Sequence, residues 1–388
     1  MKVLFVHERF GAFAGAEANA QAVALEFRRR GHEVGLLHGP GTGRGEAAWR
    51  QTFSGCYELA VTPAAEALAQ FNPDLIYVHN LPDLEVLETL LGSDRPAVRM
   101  VHDHALYCMR GYKYNVFTRR ICTRAISPHC LIPCGGFLKR NREGGFPVSW
   151  VSYSRKRKEI RLNQRFQCLV VATDYRKDDL LRNGFRPGQI EIHAPVPPRA
   201  DEAAPSTFGP RNLILYAGQM TRGKGVDVFL EALAQVNLPF ECHLFGDGHY
   251  RNHCEQLSER LGLADKVRFR GFVPQAELQQ QYQDCSVAVV SSVWPEPFGA
   301  VGLEAMRYRV PVVAFDAGGI KEWLIDGFNG YLVPWMDRRQ FAVRLEALLR
   351  DKTRARQLGE NGFRLLRERY DFSKYVDELE RLFERLLG

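Results

Sequence analysis

Short, nearly continuous apolar runs alternate along this chain with stretches whose apolar residues recur at helical spacing. In the first half, the stretch 16–30 predicts a helix that ends at Gly31, and five apolar runs predict strands. Strands without polar alternation are typical of parallel sheets that helices cover on both faces. The predicted strands are Lys2–His7, Glu33–His38, Leu75–Val78, Val98–His102 and Cys168–Ala172.

The alternation restarts after residues 195–205, where Pro, Ala and acidic residues indicate a linker. Two successive βαβ halves predict two doubly wound, Rossmann-like α/β domains that face each other across a cleft. We expect the first domain at 1–198, with an insertion at about 105–165, and the second at 206–370. A closing helix at 371–388 is expected to cross back to the first domain.

Composition excludes several classes of protein. Hydrophobic residues make up 45% of the 388 residues and charged residues 25%, which is typical of a globular chain with a core and not of a disordered one. No apolar run is long enough for a transmembrane helix, and the apolar start is too short for a signal peptide. We therefore expect a cytoplasmic protein.

The basic charge is concentrated in one segment. Residues 110–165 contain fourteen Lys or Arg against two Glu, a local charge of +12 in a chain whose total is +7. Such a segment attracts anionic lipid headgroups, nucleic acid or a pyrophosphate-linked substrate. The alternative is a solvated surface without a partner.

Four of the nine cysteines lie in this basic segment. Their spacing lacks the paired Cys-x2-Cys hooks of a zinc ribbon, which favours unligated thiols. A structural zinc, with His104 or His129 replacing one thiolate, is the second interpretation. The four residues are Cys108, Cys122, Cys130 and Cys134.

The strongest chemical signal is the segment 296–304, in which Glu296 and Glu304 stand eight residues apart around a predicted helix start. Backbone N–H groups at a helix start attract anions, and Gly299 allows a close approach. Carboxylates on either side are suited to bind sugar hydroxyls. The alternative is a surface helix with a capping glutamate.

A second signal is the loop 216–225, which lies between a predicted strand and a helix, where phosphates bind in such folds. Lys224 supplies a positive charge for a leaving diphosphate. The Walker A spacing is absent. Weaker signals come from three further turns after strands, at 11–17, 245–248 and 271–273.

In this order the motifs resemble retaining glycosyltransferases of family 4, which have the GT-B fold, and the resemblance covers essentially the whole chain. It rests on Gly15-Ala16-Glu17, His102-Asp103, Lys224-Gly225, the Glu296–Glu304 pair and Gly318-Gly319. It implies transfer of a sugar from a nucleotide diphosphate donor to an acceptor hydroxyl of a glycan, a glycolipid or another small acceptor.

The resemblance also implies residue roles. Glu296 holds hydroxyls of the donor sugar, Lys224 binds the diphosphate, His102 lies beside the reacting sugar, and Glu304 holds the ribose. Retention follows if the departing diphosphate takes the proton of the acceptor. Further donor-binding residues are Gly15, Gly218, Gln219, Arg222, Gly246, Phe272, Val273, Phe298, Gly299, Ala300 and Val301, and the acceptor-side residues are Glu17, Asp103 and His104.

One position departs from the family pattern. Gln219 stands where the family usually has an arginine, and Arg222 is the candidate to replace its charge. Because the chain contains no Asp-x-Asp, we expect no catalytic metal and no cofactor beyond the nucleotide sugar.

Two other functions stay open at this point. A nucleotide-sugar epimerase of the same shape would need no acceptor, so product analysis with and without acceptor separates it from a transferase. A basic module that binds membranes or nucleic acid would show salt-sensitive binding that survives the loss of Glu296. No nucleic-acid recognition motif is present, so we expect no nucleic-acid partner. We do expect contact of 110–165 with a lipid-linked acceptor or an anionic membrane.

Overall fold

The computed structural model describes residues 1–13, 15–115, 117–140, 148–198 and 203–388. Residues 141–147 of the predicted insertion, residues 199–202 of the linker, Ala14 and Val116 lie outside these ranges. The strands are β1 Lys2–His7, β2 Glu33–His38, β3 Gly55–Glu58, β4 Leu75–Val78, β5 Ala97–Met100, β6 Leu138–Arg140, β7 Val148–Trp150, β8 Cys168–Val171, β9 Ile190–Ile192, β10 Leu213–Ala217, β11 Glu241–Phe245, β12 Val267–Gly271, β13 Cys285–Val290, β14 Val312–Phe315 and β15 Gly330–Val333.

Helices fill most of the connections between these strands. They are α1 Gly15–Arg29, α2 Glu46–Thr52, α3 Ala64–Phe71, α4 Leu84–Leu91, α5 Tyr153–Asn163, α6 Asp174–Arg182, α7 Val226–Leu233, α8 Arg251–Arg260, α9 Gln275–Tyr282, α10 Val301–Arg307, α11 Arg338–Arg350, α12 Lys352–Arg369 and α13 Phe372–Leu387. Among the described residues, no helix is long and apolar enough to cross a bilayer.

The chain divides into two compact units. Unit 1 comprises Met1–Tyr112, Thr123–Pro198 and Phe372–Gly388, and unit 2 comprises Lys113–Cys122 and Arg199–Asp371. The closing helix α13 lies in unit 1. The segment Lys113–Cys122 lies in unit 2, whereas the sequence pattern led us to expect the whole insertion in the first domain.

Unit 1 is built on a parallel seven-stranded sheet in the order β3-β2-β1-β4-β5-β8-β9. One face is covered by α1, α2 and α13, whose residues Phe27, Trp49 and Phe383 are fully buried. The other face is covered by α3 to α6. The strands β1, β4, β5 and β8 are buried on both faces, which explains why they appear in the sequence as unbroken apolar runs.

Unit 2 contains a parallel six-stranded sheet in the order β12-β11-β10-β13-β14-β15. Phe341 of α11 packs on Phe315 and Phe229, with ring centroids 4.6 and 5.9 Å away. The sequence pattern did not predict β3, β9 or β15, which are short strands towards the edges of the two sheets. In the second half, the sequence pattern predicts a helix at 320–324, and the structure has a 3-10 turn at Gly319–Glu322 instead.

Candidate active site

The candidate donor site lies at the carboxyl edge of the sheet of unit 2. The neighbouring strands β10 and β13 are the point where the order of the strands reverses, and ligands of doubly wound sheets bind beside such points. The loop after β10 carries Lys224, and the loop after β13 carries Glu296. Topology therefore brings together two residues that are 72 positions apart.

Backbone contacts join these two loops. Gly225 has φ +65°, and a Cβ there would lie 2.1 Å from the carbonyl oxygen of Ser291, so only glycine fits without displacement. The Ser291 hydroxyl donates to the Lys224 carbonyl over 2.8 Å. The N–H groups of Val293 and Trp294 donate to the Gly223 carbonyl. These contacts fix where the Lys224 side chain begins.

Glu296 is buried, with 4% of its surface exposed, and its Oε1 accepts three hydrogen bonds. Lys224 Nζ lies 2.6 Å from Oε1, Trp294 Nε1 donates over 2.9 Å, and the Ser292 hydroxyl also donates to it. The Lys224 ammonium lies 5.3 Å from the centre of the Trp294 ring, a cation–π contact.

The other carboxylate oxygen of Glu296 differs. In the part of the chain that the structure describes, no hydrogen bond reaches Oε2. Burial raises the pKa of Tyr216, and the nearby Glu296 carboxylate raises it further. Oε1 thus holds the side chain in place, and Oε2 remains as an acceptor for hydroxyl groups of a ligand.

The loops after β10, β11 and β12 are in backbone contact. Gly246 has φ +108°, and a Cβ on it would lie 2.0 Å from the Gly218 carbonyl oxygen. The Gly218 N–H donates to the Phe245 carbonyl, and the Gly246 N–H donates to the Gly271 carbonyl. Next to Gly271, Phe272 is 87% exposed. An exposed aromatic ring beside backbone N–H and C=O groups is suited to a nucleotide base.

The predicted helix start after Glu296 is present, but its position relative to Glu304 differs by one turn. The sequence pattern placed Glu304 near the second turn of this helix. α10 begins at Val301, with Ala300 as its N-cap, and Glu304 lies in the first turn instead of the second. Phe298 is buried, and its carbonyl accepts the Trp323 Nε1–H over 2.6 Å. Gly299, Ala300 and Val301 are half-buried.

Gln219 and Arg222 occupy different environments. Gln219 is exposed, and its backbone carbonyl accepts the Tyr216 hydroxyl over 2.9 Å. Arg222 is half-buried, and its Nε is buried without a hydrogen-bond partner among the described residues. A buried guanidinium N–H without a partner is costly, which is consistent with a ligand contact at Arg222.

In unit 1, three neighbouring strands end in histidines. His7 ends β1, and His79 and His102 follow β4 and β5. His79 Nδ1 lies 2.8 Å from His102 Nε2, and the His7 and His79 ring centroids are 6.0 Å apart. Burial lowers the pKa of His7 to about 4 and that of His102 to about 3, and it also lowers the pKa of His79. The row is therefore uncharged at neutral pH.

The predicted acceptor-side residues are mostly internal. His104 is fully buried, with its Nδ1 within 2.7 Å of an Arg176 guanidinium nitrogen and 2.9 Å of the Tyr107 hydroxyl. Glu17 is buried, and its Oε1 lies 3.8 Å from His7 Nε2. Asp103 is half-buried, and its carboxylate accepts the Ala105 N–H. His104 and Glu17 therefore make contacts with other buried side chains of unit 1.

Comparisons with known proteins bear on the second unit most strongly. Residues 199–365 match the family model described as "Glycosyl transferases group 1". This part of the chain, which makes up most of unit 2, is similar to the group 1 glycosyltransferases. The matched residues include both loops of the Lys224–Glu296 site, so the family signature and the geometry coincide.

Relatives and solved structures agree with this family. The chain is 24% identical over 301 residues to an uncharacterized glycosyltransferase of Methanocaldococcus jannaschii, covering 76% of this chain and 77% of that one. It is 30% identical over 214 residues to a D-inositol 3-phosphate glycosyltransferase of Streptomyces bingchenggensis, covering 49% of this chain and 47% of that enzyme. Several of these curated relatives are matched over about half of their length.

The fold of this chain is GT-B. The crystal structure of Anabaena HepE in complex with UDP and glucose matches it with a TM-score of 0.74 and 21% identity, covering 99% of this chain and 100% of that one. Sucrose-phosphate synthase from Thermosynechococcus elongatus matches with a TM-score of 0.73 and 18% identity, covering 100% of this chain and 99% of that one.

The four cysteines of the basic segment are not gathered into a metal-binding cluster in the part of the chain that the structure describes. Among the described residues, no three histidine, cysteine, aspartate or glutamate side chains are arranged to hold a metal ion. Cys108, Cys130 and Cys134 belong to unit 1 and Cys122 to unit 2, and none of the four forms a disulfide bond among the described residues. The zinc interpretation stays a prediction, which elemental analysis of the protein tests.

Sequence reasoning missed several residues of the candidate site. Ser292 and Trp294, which hold Glu296 Oε1, precede it by four and two positions, so their polar groups in one loop were the available signal. His7 and His79 were missed as well. Their signal was that successive predicted strands each end in histidine.

Proposed function

We propose that this chain is a retaining glycosyltransferase that moves a sugar from a nucleotide diphosphate donor to an acceptor hydroxyl without a metal. The arrangement around Glu296 carries the proposal. Three donors fix Oε1, which leaves Oε2 to accept sugar hydroxyls beside the Lys224 ammonium. A fixed acceptor next to a fixed cation is suited to a donor that has hydroxyls on one side and a diphosphate on the other.

The diphosphate is assigned to the loop 218–225. Lys224 is one cation of this loop, and Arg222, whose Nε has no hydrogen-bond partner among the described residues, is the second. The exposed Gln219 leaves room for Arg222 to supply the missing charge. Neutralisation by these cations and by the N–H groups of Gly299, Ala300 and Val301 agrees with the absence of Asp-x-Asp from the sequence.

In the proposed step, the bond between the anomeric carbon and the diphosphate oxygen breaks, and positive charge develops on the sugar. The departing diphosphate takes the proton of the acceptor hydroxyl, whose oxygen bonds to the anomeric carbon on the same face. The configuration is therefore retained, and no protein nucleophile is needed. Lys224 lowers the barrier because negative charge grows on the leaving group beside its ammonium.

His102 serves this step as a neutral group. Because burial lowers its pKa to about 3, the imidazole carries no charge that would oppose the developing positive charge of the sugar. The 2.8 Å contact with His79 fixes its orientation. We assign His102 to a hydrogen bond with the reacting sugar, in agreement with the role that the resemblance implies.

For the base and ribose we propose the rim formed by Gly246, Phe272, Val273 and Glu304. Phe272 offers an exposed ring, and Glu304 a half-buried carboxylate at the start of α10. The Anabaena structure that matches this chain contains UDP, so UDP-sugars are the first donors to test.

We propose that the acceptor is a sugar or a lipid-linked molecule at an anionic membrane surface. In unit 1, Trp150 is 76% exposed and stacks on Phe137, and Leu138 lies opposite it in the β6–β7 pair. The helix α5 begins three residues later and carries the exposed cations Arg155, Arg157, Lys158 and Arg161. Apolar side chains next to cations are typical of surfaces that bind anionic lipid.

Co-sedimentation with vesicles rich in phosphatidylglycerol tests this surface. Lys156 is unsuitable for the test because it pairs with Glu159 and donates to the Ala105 carbonyl. Arg157→Gln combined with Arg161→Gln removes two exposed cations, which are each worth about 1 kcal/mol near a membrane, so binding should fall by at least about tenfold. Arg260→Gln, an exposed arginine of unit 2, is the control. Equal binding of all three proteins contradicts the assignment.

Sugar transfer is tested by measuring nucleoside diphosphate release from a panel of nucleotide sugars, with and without glycan and lipid-linked acceptors. Glu296→Gln and Lys224→Ala should each reduce turnover by about 100-fold, because each removes a contact to developing charge or to sugar hydroxyls. Glu259→Gln, an exposed glutamate of α8, is the matched control. Near-normal turnover in both site variants, or acceptor-independent conversion of the sugar, refutes the proposal.

A further inference from the structure

The segment Lys113–Cys122 belongs to unit 2 although it follows the strands of unit 1 in sequence. It forms a short hairpin. Tyr114 pairs with Ile121 in an antiparallel bridge, and the Asn115 carboxamide oxygen accepts the N–H groups of Phe117 and Thr118. The turn presents the Arg119 side chain to α7.

Arg119 forms a two-pronged ion pair with Asp227, in the first turn of α7. Arg119 Nη1 lies 3.3 Å from Asp227 Oδ1, Nη2 contacts Oδ2, and the two side chains are only 12% and 9% exposed. The Tyr250 hydroxyl donates to Oδ2 over 3.3 Å. Both oxygens of the Asp227 carboxylate are therefore engaged.

Arg222 begins the 3-10 turn Arg222–Lys224, and only Gly225 separates this turn from α7, so Arg222 stands five residues before Asp227. The pKa of Tyr114 is raised to about 12, chiefly by burial, while the charges of Arg119 and Arg222 lower it and that of Asp227 raises it. The same three charged groups act on Tyr250. Two arginines and one carboxylate thus surround two phenols, and the ion pair is made with Arg119 and not with Arg222.

We infer that Arg119 is a positioning residue, which occupies Asp227 and so keeps Arg222 available for the donor diphosphate. The inference rests on the proposed function of the loop 218–225. If Arg119 is removed, Asp227 becomes a buried carboxylate without its partner, and Arg222 is the remaining cation of this cluster that can pair with it. An arginine paired with Asp227 no longer binds phosphate oxygens.

Two ways of breaking the same ion pair should therefore have different effects on the binding of a nucleoside diphosphate. Arg119→Ala releases the Asp227 charge and should weaken binding of a nucleoside diphosphate by about tenfold, the loss of one charge-assisted contact. Asp227→Asn also breaks the pair but leaves no carboxylate for Arg222, and its amide oxygen still accepts the Tyr250 hydroxyl. Its affinity should stay within about twofold of wild type, and so should that of the double variant.

Calorimetry of the full chain with UDP, GDP and ADP measures these affinities, with Arg260→Ala as the control for removing an arginine. Weaker binding by Arg119→Ala that is restored in the double variant supports the inference. The inference is overturned if Arg119→Ala binds like wild type or if Asp227→Asn alone loses the same affinity. It is also overturned if the double variant binds as weakly as Arg119→Ala. If Arg119→Ala does not fold, Arg119→Gln, which also removes the charge that pairs with Asp227, takes its place in the same comparison. A chain that binds no nucleoside diphosphate refutes the proposed function as well, whereas an active enzyme with an unaffected Arg119→Ala variant refutes this inference alone.

Discussion

The buried histidine row predicts how the stability of unit 1 depends on pH. His7 is fully buried between the His79 and Trp49 rings, and its pKa is lowered from its ordinary 6.5 to about 4. In the unfolded chain it titrates normally. Between pH 6.5 and 4 the unfolded state therefore binds more protons than the folded state, and the free energy of unfolding falls as the pH falls.

The size of the effect follows from the two pKa values. Each pH unit in this window costs up to about 1.4 kcal/mol per histidine, so lowering the pH from 7 to 5 removes about 2 kcal/mol through His7 alone. Above pH 6.5 the free energy of unfolding is not reduced by His7, and below pH 4 the loss through His7 levels off. His102, with a pKa lowered to about 3, adds a loss of similar size.

Urea unfolding followed by circular dichroism at pH 7, 6 and 5 measures this loss. His7→Gln keeps a polar group that can accept the Arg9 N–H, which His7 Nδ1 accepts over 3.1 Å, but it cannot titrate. The variant should lose about 2 kcal/mol less than wild type between pH 7 and 5. His253→Gln, which replaces an exposed histidine of α8, is the control. Identical losses in wild type and His7→Gln refute the argument from burial.

Three further predictions concern unit 2 and the cysteines. Gly225→Ala should destabilise the fold by about 1–3 kcal/mol in chemical unfolding, because its Cβ meets the Ser291 carbonyl at a positive φ; a change below about 0.5 kcal/mol contradicts this. Arg222→Ala should raise the Kd for a nucleoside diphosphate about tenfold, while Gln219→Arg should leave it equal or lower; normal binding by Arg222→Ala in calorimetry excludes the substitute role. Elemental analysis of untagged protein should give far less than one zinc per chain, and a stoichiometric zinc that is lost in Cys122→Ser restores the metal interpretation.

Much of the fold could be predicted from the sequence because burial on both faces leaves an unbroken apolar run. β1, β4 and β13 are strands of this kind. The helix α13 of unit 1 was predictable for another reason, because its apolar residues lie strongly on one side. β3 was not predictable, since its four residues, Gly-Cys-Tyr-Glu, carry no such pattern. Strands of this kind are specified by the neighbour with which they pair.

The candidate site divides in the same way. Lys224 and Glu296 stood out because motif and spacing are local properties. The pairing of Arg119 with Asp227 was not predictable, because it joins residues 108 positions apart across a unit boundary in the sequence. The burial of His104 was also missed, since a histidine after a strand looks the same in sequence whether it faces solvent or Arg176.

A crystal structure of this chain with an intact nucleotide sugar tests the central claim most directly. We predict that sugar hydroxyls lie within hydrogen-bond distance of Glu296 Oε2 and that diphosphate oxygens contact Lys224 Nζ, while Ser292 and Trp294 still hold Oε1. A nucleotide sugar bound elsewhere, or one whose sugar does not contact Glu296, contradicts the account.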